Sequence, residues 1–140
     1  MYNKTLLLSL LAVSSLFAAI YLFFPAYTRW YDHSQVTLGE RVYRQYCIGC
    51  HLADASGTRD WKKTDAAGRY PPPPLDGSAH TWHHSMEVLK RQILEGGAKY
   101  RGWMPGFEGS LSEQELEAVI AYFQSKWSDE TYQVWLSRNE

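Results

Sequence analysis

Residues 47 to 51 read Cys-Ile-Gly-Cys-His, and Cys47 and Cys50 are the two cysteines of the chain. On a helical turn, thiols three residues apart can each add to one of the two vinyl groups of a single porphyrin, while the imidazole of His51 offers a nitrogen to the iron. This is the spacing of c-type haem attachment. Both sulfurs would then be thioethers. Two other chemistries use the same pair. A redox dithiol wants a strand before it and a helix after, whereas the flanks here carry helical periodicity; half of a zinc site wants further ligands at close spacing.

Iron held by one histidine has a sixth position, and its occupant separates electron transfer from catalysis and gas binding. Met104 is the first candidate. It stands 53 residues beyond His51 in a glycine-rich segment without periodicity, followed by Pro105 and Gly106, where a stiff loop can aim a thioether. A neutral, soft thioether favours Fe(II) over Fe(III) and raises the potential. Met86 opens a helix and reads as core. His80, His83 and His84 are the other candidates, either as a ligand in place of Met104 or as surface or propionate-side groups. Trp82 and Trp103 could each donate an indole N–H to a haem propionate, since an indole only donates, or could pack in the core.

Helices must deliver these groups. Val36, Gly39, Val42, Tyr43 and Tyr46 recur at three- and four-residue spacings between polar residues, which predicts an amphipathic helix from Val36 to Tyr46 leading into the cysteines. From Leu52 to Pro74 the chain is rich in Ala, Gly, Asp, Thr and Pro and closes on four prolines, an ordered loop. Ser85 reads as the N-cap of a helix from about Met86 to Glu95, ended by Gly96 and Gly97. Tyr100 to Gly109 form a second loop, holding Trp103 and Met104. Ser112 and Glu115 make a capping box for a helix carrying Leu116, Val119, Ile120 and Phe123 to about Trp127, and the tail from Ser128 has room for one more short helix. With no dependable strand pattern, the fold class is all-α with long loops.

The 140 residues carry a formal charge of −1, so neither nucleic acid nor an anionic surface is indicated as a partner. Arg59, Lys62, Lys63 and Arg69 form a basic stretch balanced by Asp54, Asp60 and Asp65, as in a solvated loop. Thr5 to Phe24 are 20 uncharged, apolar-rich residues, enough for a helix to span the ~30 Å of a bilayer core. The competing reading is a cleaved signal peptide with its cleavage site near Ala12 to Ser15. The apolar run continues well past that point, which favours an uncleaved anchor. Tyr21, Tyr27, Trp30 and Tyr31 would suit an interfacial aromatic belt or pack at the head of the domain. The division is then 1–30, anchor and juxtamembrane segment, and 31–140, a domain large enough for one core.

Taken in order, these residues resemble a class I c-type cytochrome over about Val36 to Trp127. Gly39 and Tyr43 match first-helix positions where a glycine admits the last helix closely and an aromatic packs on it, and Tyr122 matches the last-helix aromatic. Pro73, Leu75 and Gly77 match the family's P-x-L-x-G stretch. The resemblance implies that the Pro73 carbonyl accepts a hydrogen bond from the ring N–H of His51 and fixes its orientation. Met104-Pro105-x-Phe107 followed by Leu111-Ser112 match the methionine loop. The loop between His51 and Pro73 is longer than in compact members, and Ala79 to His84 is no general class I feature; that stretch is similar to one in N-terminally anchored bacterial single-haem cytochromes.

The resemblance implies one covalently bound haem c, a haem domain in the bacterial periplasm and a single-pass anchor in the inner membrane. It implies an electron carrier rather than an enzyme, free or within a larger oxidoreductase complex. Electrons would pass outer-sphere through the haem edge near Cys47 and Cys50, with Cys47, Cys50, His51, Pro73, Leu75, Trp82, Trp103 and Met104 around the haem. Donors would be a quinol-oxidising complex or a dehydrogenase; acceptors, a haem-copper oxidase, a copper protein or a reductase. The alternatives are a small haem enzyme subunit with a labile Met104 and a histidine acid-base group, or a haem-based sensor or metal-handling assembly factor in which His80, His83 and His84 share a helix-entry turn.

Overall fold

Asp32 starts the first helix. Its carboxylate accepts from the Gln35 N–H at 2.9 Å while the Gln35 side chain accepts from the Asp32 N–H at 3.1 Å, a reciprocal cap. Helix α1 therefore runs His33–Tyr46, three residues earlier than the apolar periodicity predicts, because the cap and not the first apolar residue sets the start. The computed structural model describes residues 13–15 and 29–139. After α1 come a single turn α2 (Ile48–His51), α3 (Met86–Glu95), α4 (Glu113–Gln124) and α5 (Asp129–Leu136), with short 3-10 turns at His80–His83 and Ala98–Tyr100. Among the described residues there is no strand, only an isolated bridge pairing Tyr70 with Gly102.

Sequence-encoded caps also start α3, α4 and α5. Ser85 accepts from Val88 N–H at the start of α3, Ser112 and Glu115 form the expected reciprocal cap on α4, and Ser128 caps α5. Gly96, at φ 78°, ends α3 as predicted. Helix α4 stops at Gln124, short of Trp127, which sits in the turn before α5.

The principal helix contact is α1 against α4. A Cβ on Gly39 would lie 1.9 Å from the Ala118 carbonyl oxygen, so only glycine permits this closeness. Tyr43 and Tyr122 pack beside the crossing with ring centroids 5.0 Å apart. Val42, Leu116, Val119, Ile120 and Phe123 fill the core around them, and Trp127, Tyr132 and Trp135 extend it under α5. Lys90 on α3 reaches Glu113 and Glu117 on α4 at 2.5 and 2.7 Å.

Arg29 and Trp30 belong to this body. The Arg29 guanidinium donates to the Gln124 and Trp127 carbonyls at the C-terminal end of α4, pairs with Asp129 at 2.6 Å and lies over the Tyr132 ring. The Trp30 indole donates to Gln124 Oε1 at 2.6 Å, and its backbone N–H to the Tyr132 hydroxyl. Of the aromatics considered for an interfacial belt, Trp30 and Tyr31 thus pack on the domain, because α5 offers them Tyr132 as a partner, edge-on to Tyr31. Tyr21 and Tyr27 lie outside the described residues. So does the apolar segment Thr5 to Phe24, except Val13, Ser14 and Ser15, which are helical. Among the described residues no helix is long and apolar enough to cross a membrane.

Candidate functional site

His51 closes the single turn α2, and only 6 % of its surface is exposed. Its Nδ1 lies 2.9 Å from the Pro73 carbonyl oxygen. A carbonyl only accepts, so the proton sits on Nδ1 and Nε2 keeps the free lone pair that a metal ligand needs. Burial lowers the pKa of His51, partly offset by this hydrogen bond. The imidazole is thereby held neutral, the form that ligates.

Pro73 is placed by the loop it faces. Gly57 N–H donates to the His51 carbonyl, Thr58 N–H to the Pro72 carbonyl, and Leu75 N–H to the Ala55 carbonyl, at 2.8 to 3.0 Å. Gly57 has φ 59°, and a Cβ there would come within 2.5 Å of the Pro73 carbonyl carbon and oxygen. The fourth proline is pinned as well. Thr81 donates its hydroxyl to the Pro74 carbonyl and Trp127 its indole N–H to the Leu75 carbonyl at 2.8 Å, so the turn after α4 helps to hold the same strip from behind.

Met104 is placed by the end of α3. Gly97 N–H donates to the Met104 carbonyl at 2.8 Å, and Phe107 N–H to the carbonyls of Ile93 and Leu94. Gly96 lies so close to Met104, Pro105 and Gly106 that any Cβ on it would strike their backbone. Beyond it, Tyr70 N–H donates to the Arg101 carbonyl and Trp103 N–H to the Tyr70 carbonyl, which joins the methionine loop to the long loop.

Between these two walls lies one cavity of about 630 Å³, within the range of cofactor pockets. Cys47, His51, Pro73, Leu75, Trp103 and Met104 line it, with Tyr43, Leu89, Ile93, Val119 and Phe123 as an apolar floor. An apolar slot walled by a thiol, a neutral imidazole and a thioether fits a flat metalloporphyrin in donor chemistry and in size. Cys50 is exposed, at the outer side of α2. Burial and the neighbouring Cys50 push the Cys47 thiol up to about 11. A redox dithiol needs a lowered nucleophile, and Cys47 does not suit that role. Zinc fares no better. Among the described residues no group of three or more His, Cys, Asp or Glu side chains could hold a metal ion.

The three histidines separate. His80 and His84 line the cavity, with ring centroids 5.1 Å apart, and His80 stacks on Trp61 at 4.8 Å. His83 turns away. It stacks on Trp82 at 3.7 Å and meets Arg138, whose guanidinium also covers the Trp82 ring. Trp82 is accordingly outside the cavity lining, occupied by these two partners, and of the two indoles considered as propionate donors only Trp103 stands at the cavity. Met86 packs against the core, as its place at the start of α3 implies. Trp61, Tyr70 and Tyr100 also line the wall, beside the His80 and His84 already considered as ligand or propionate-side groups, and sequence reasoning does not identify these three aromatics as wall residues. Their one sequence signal is an aromatic in or beside a Gly- and Pro-rich loop, where solvent exposure would otherwise disfavour it.

Two curated relatives match part of the chain. A nicotinate dehydrogenase subunit from Pseudomonas putida is 28% identical over 100 residues, 69% of this chain and 8% of that protein. Thiosulfate dehydrogenase of Allochromatium vinosum is 35% identical over 85 residues, 60% of this chain and 28% of that protein. The chain thus spans under a third of either relative. No solved structure matches the chain significantly. Residues 34–123 match the family described as cytochrome C oxidase, cbb3-type, subunit III. From α1 through the cavity to the end of the α1–α4 crossing, the matched region is the domain described above, and the chain belongs to that family as a class I c-type cytochrome.

Proposed function

We propose that the chain carries one haem c, bound through thioethers to Cys47 and Cys50 with His51 and Met104 as axial ligands, and works as a membrane-tethered electron carrier on the periplasmic side of a bacterial inner membrane. The observation that carries this reading is the single cavity reached by Cys47, a neutral His51 oriented by Pro73, and Met104. The haem would supply a one-electron Fe(III)/Fe(II) couple. The chain's own residues would orient the imidazole, present the thioether on a loop braced by α3, and exclude water with Leu75, Leu89, Ile93 and Phe123. With His51 and Met104 both holding the iron, no open site on it would be left for a substrate, which favours a carrier over an enzyme. Trp103, half exposed at the cavity, is the indole left to donate to a propionate. The tether rests on the apolar run from Thr5 to Phe24.

A dehydrogenase is the favoured electron donor, because both relatives that match this domain bear dehydrogenase names and extend well beyond it. A quinol-oxidising complex is the other donor, and the acceptor would be a haem-copper oxidase, a copper protein or a reductase. The assembly-factor reading loses its metal-binding trio once His83 faces Arg138. The test is Met104→Ala in the purified holoprotein. The oxidised wild type should have the weak far-red absorption of methionine on ferric haem and should not bind carbon monoxide when reduced. The variant should lose the band and bind carbon monoxide. A wild type that already binds carbon monoxide would sink the carrier reading in favour of a small haem enzyme or a sensor.

A further inference from the structure

The bridge between Tyr70 and Gly102 brings together two loops whose side chains make one surface. Tyr70, Tyr100 and Trp103 are 36, 58 and 47% exposed, unusually open for large aromatics, and all three also line the cavity. Each carries a cation on its face. Arg101 lies over Tyr70 at 5.4 Å, Lys99 over Tyr100 at 5.7 Å and Arg69 over Trp103 at 5.5 Å, with Lys62 over Trp61 at 5.2 Å on the flank. Residues 59–70 and 97–103 hold six cations against two carboxylates, in a chain of formal charge −1. One of the carboxylates, Asp65, is already engaged by Arg69 at 3.1 Å, and the other, Asp60, by Lys63.

The turn that bears the cysteines is different. Tyr46 and Leu52 are exposed there, but residues 42–56 carry only Arg44 and Asp54 as charges. Arg44 is bound to Glu40 at 2.8 Å and Asp54 to Ser56 at 2.7 Å. Within residues 42–56 no charge is left unpaired to select a charged partner.

We infer that the cation-covered aromatic face of Tyr70, Tyr100 and Trp103 is where this protein meets a redox partner, and that the partner presents an acidic surface. The inference deepens the carrier reading and rests on it. Outer-sphere transfer needs the partner near the cavity, and these three rings are cavity wall on one side and solvent-facing on the other. Fixed cations steer an acidic partner to them, and Tyr and Trp are the residue types that anchor interfaces once water is expelled. The redox partner would thus sit over the methionine loop and not over the Cys47–Cys50 turn.

Small charged oxidants read this directly. In the full-length holoprotein, reduced beforehand, each turnover releases one electron and converts one ferricyanide to ferrocyanide, or one cobalt(III) tris-phenanthroline to its cobalt(II) form. Lys99→Glu with Arg101→Glu should slow oxidation by ferricyanide at least about tenfold at low ionic strength, on the order of 10 mM, and speed oxidation by the cobalt cation; both effects should shrink to within about twofold near 0.5 M. Lys99→Gln with Arg101→Gln should fall between, and Arg44→Glu should leave both rates within about twofold. Unaltered visible spectra would establish that each variant holds its haem. Equal responses of the two Glu variants, or a larger one for Arg44→Glu, would overturn the assignment. So would unchanged oxidant kinetics combined with amide-exchange protection of residues 98–103 in phosphatidylglycerol vesicles but not in phosphatidylcholine ones, which would mark a lipid-contact face. If neither oxidant takes an electron from the reduced holoprotein, the carrier reading itself fails, and the docking face with it.

Discussion

The side chain on which the chemistry turns is His51, and what orients it is a backbone oxygen that no substitution can remove. The lever is Gly57. Its left-handed backbone and the 2.5 Å gap to Pro73 mean that Gly57→Ala pays twice, in strain and in displacement of the Pro73 carbonyl. The expected cost is about 2 to 3 kcal/mol of stability, read by thermal unfolding of the holoprotein. Loss of the hydrogen bond leaves the imidazole a poorer donor, so the midpoint potential should rise in the same variant. A full Met104-ligated spectrum with an unmoved potential would show that Pro73 does not tune this ligand.

Among the helices, α1 and α4 are the pair that everything else leans on. Their separation is set by Gly39 against the Ala118 carbonyl. Adding one methyl at Gly39 forces the two helices apart and loosens Tyr43 from Tyr122, and the Tyr43 hydroxyl from the Leu52 carbonyl it reaches at 2.8 Å. Gly39→Ala should therefore cost about 3 kcal/mol, a large share of the ~5–15 kcal/mol a domain has. Urea denaturation should register it as a lowered midpoint. A midpoint equal to wild type would mean that the crossing can open without penalty. Helix α3 works differently: it is braced to α4 by Lys90, and its C-terminal end serves as the mount for the methionine loop.

Across the molecule, charge and titration are unevenly spread. The loops at 59–70 and 97–103 are basic, while α4 opens on Glu113 and Glu115 and α5 on Asp129 and Glu130. His80 and His84 on the cavity wall have pKa values lowered first by burial and then by the neighbouring histidines. In the unfolded chain they protonate at about 6.5, before the folded protein does. Below that pH the unfolded state binds more protons, so stability is full above it and falls as the solution is acidified toward the folded-state values. His80→Asn with His84→Asn should flatten the dependence of unfolding free energy on pH between about 5 and 7. A slope equal to that of the wild type would assign the pH dependence to other groups.

The chain's local chemistry determined a good deal unaided. The attachment pentapeptide and the serine caps before α3 and α4 act through neighbours within about four residues and could be read from spacing alone, and the methionine loop announced itself by its proline and glycines although its anchors, Gly97, Ile93, Leu94 and Tyr70, are more distant. Apolar periodicity misplaces the start of α1 only because a polar first turn, His33 to Gln35, hides the Asp32 cap from it. Tertiary structure alone decided that Trp61 would lie on His80, that Tyr70 would hold Gly102, that Trp82 and His83 would turn to Arg138, and that Arg29 and Trp30 would close on α4 and α5. These contacts join segments far apart in the chain, from Trp61 and His80 to Arg29 and Asp129. No local pattern encodes them, because they arise only once the α1–α4 crossing has fixed where each loop can go.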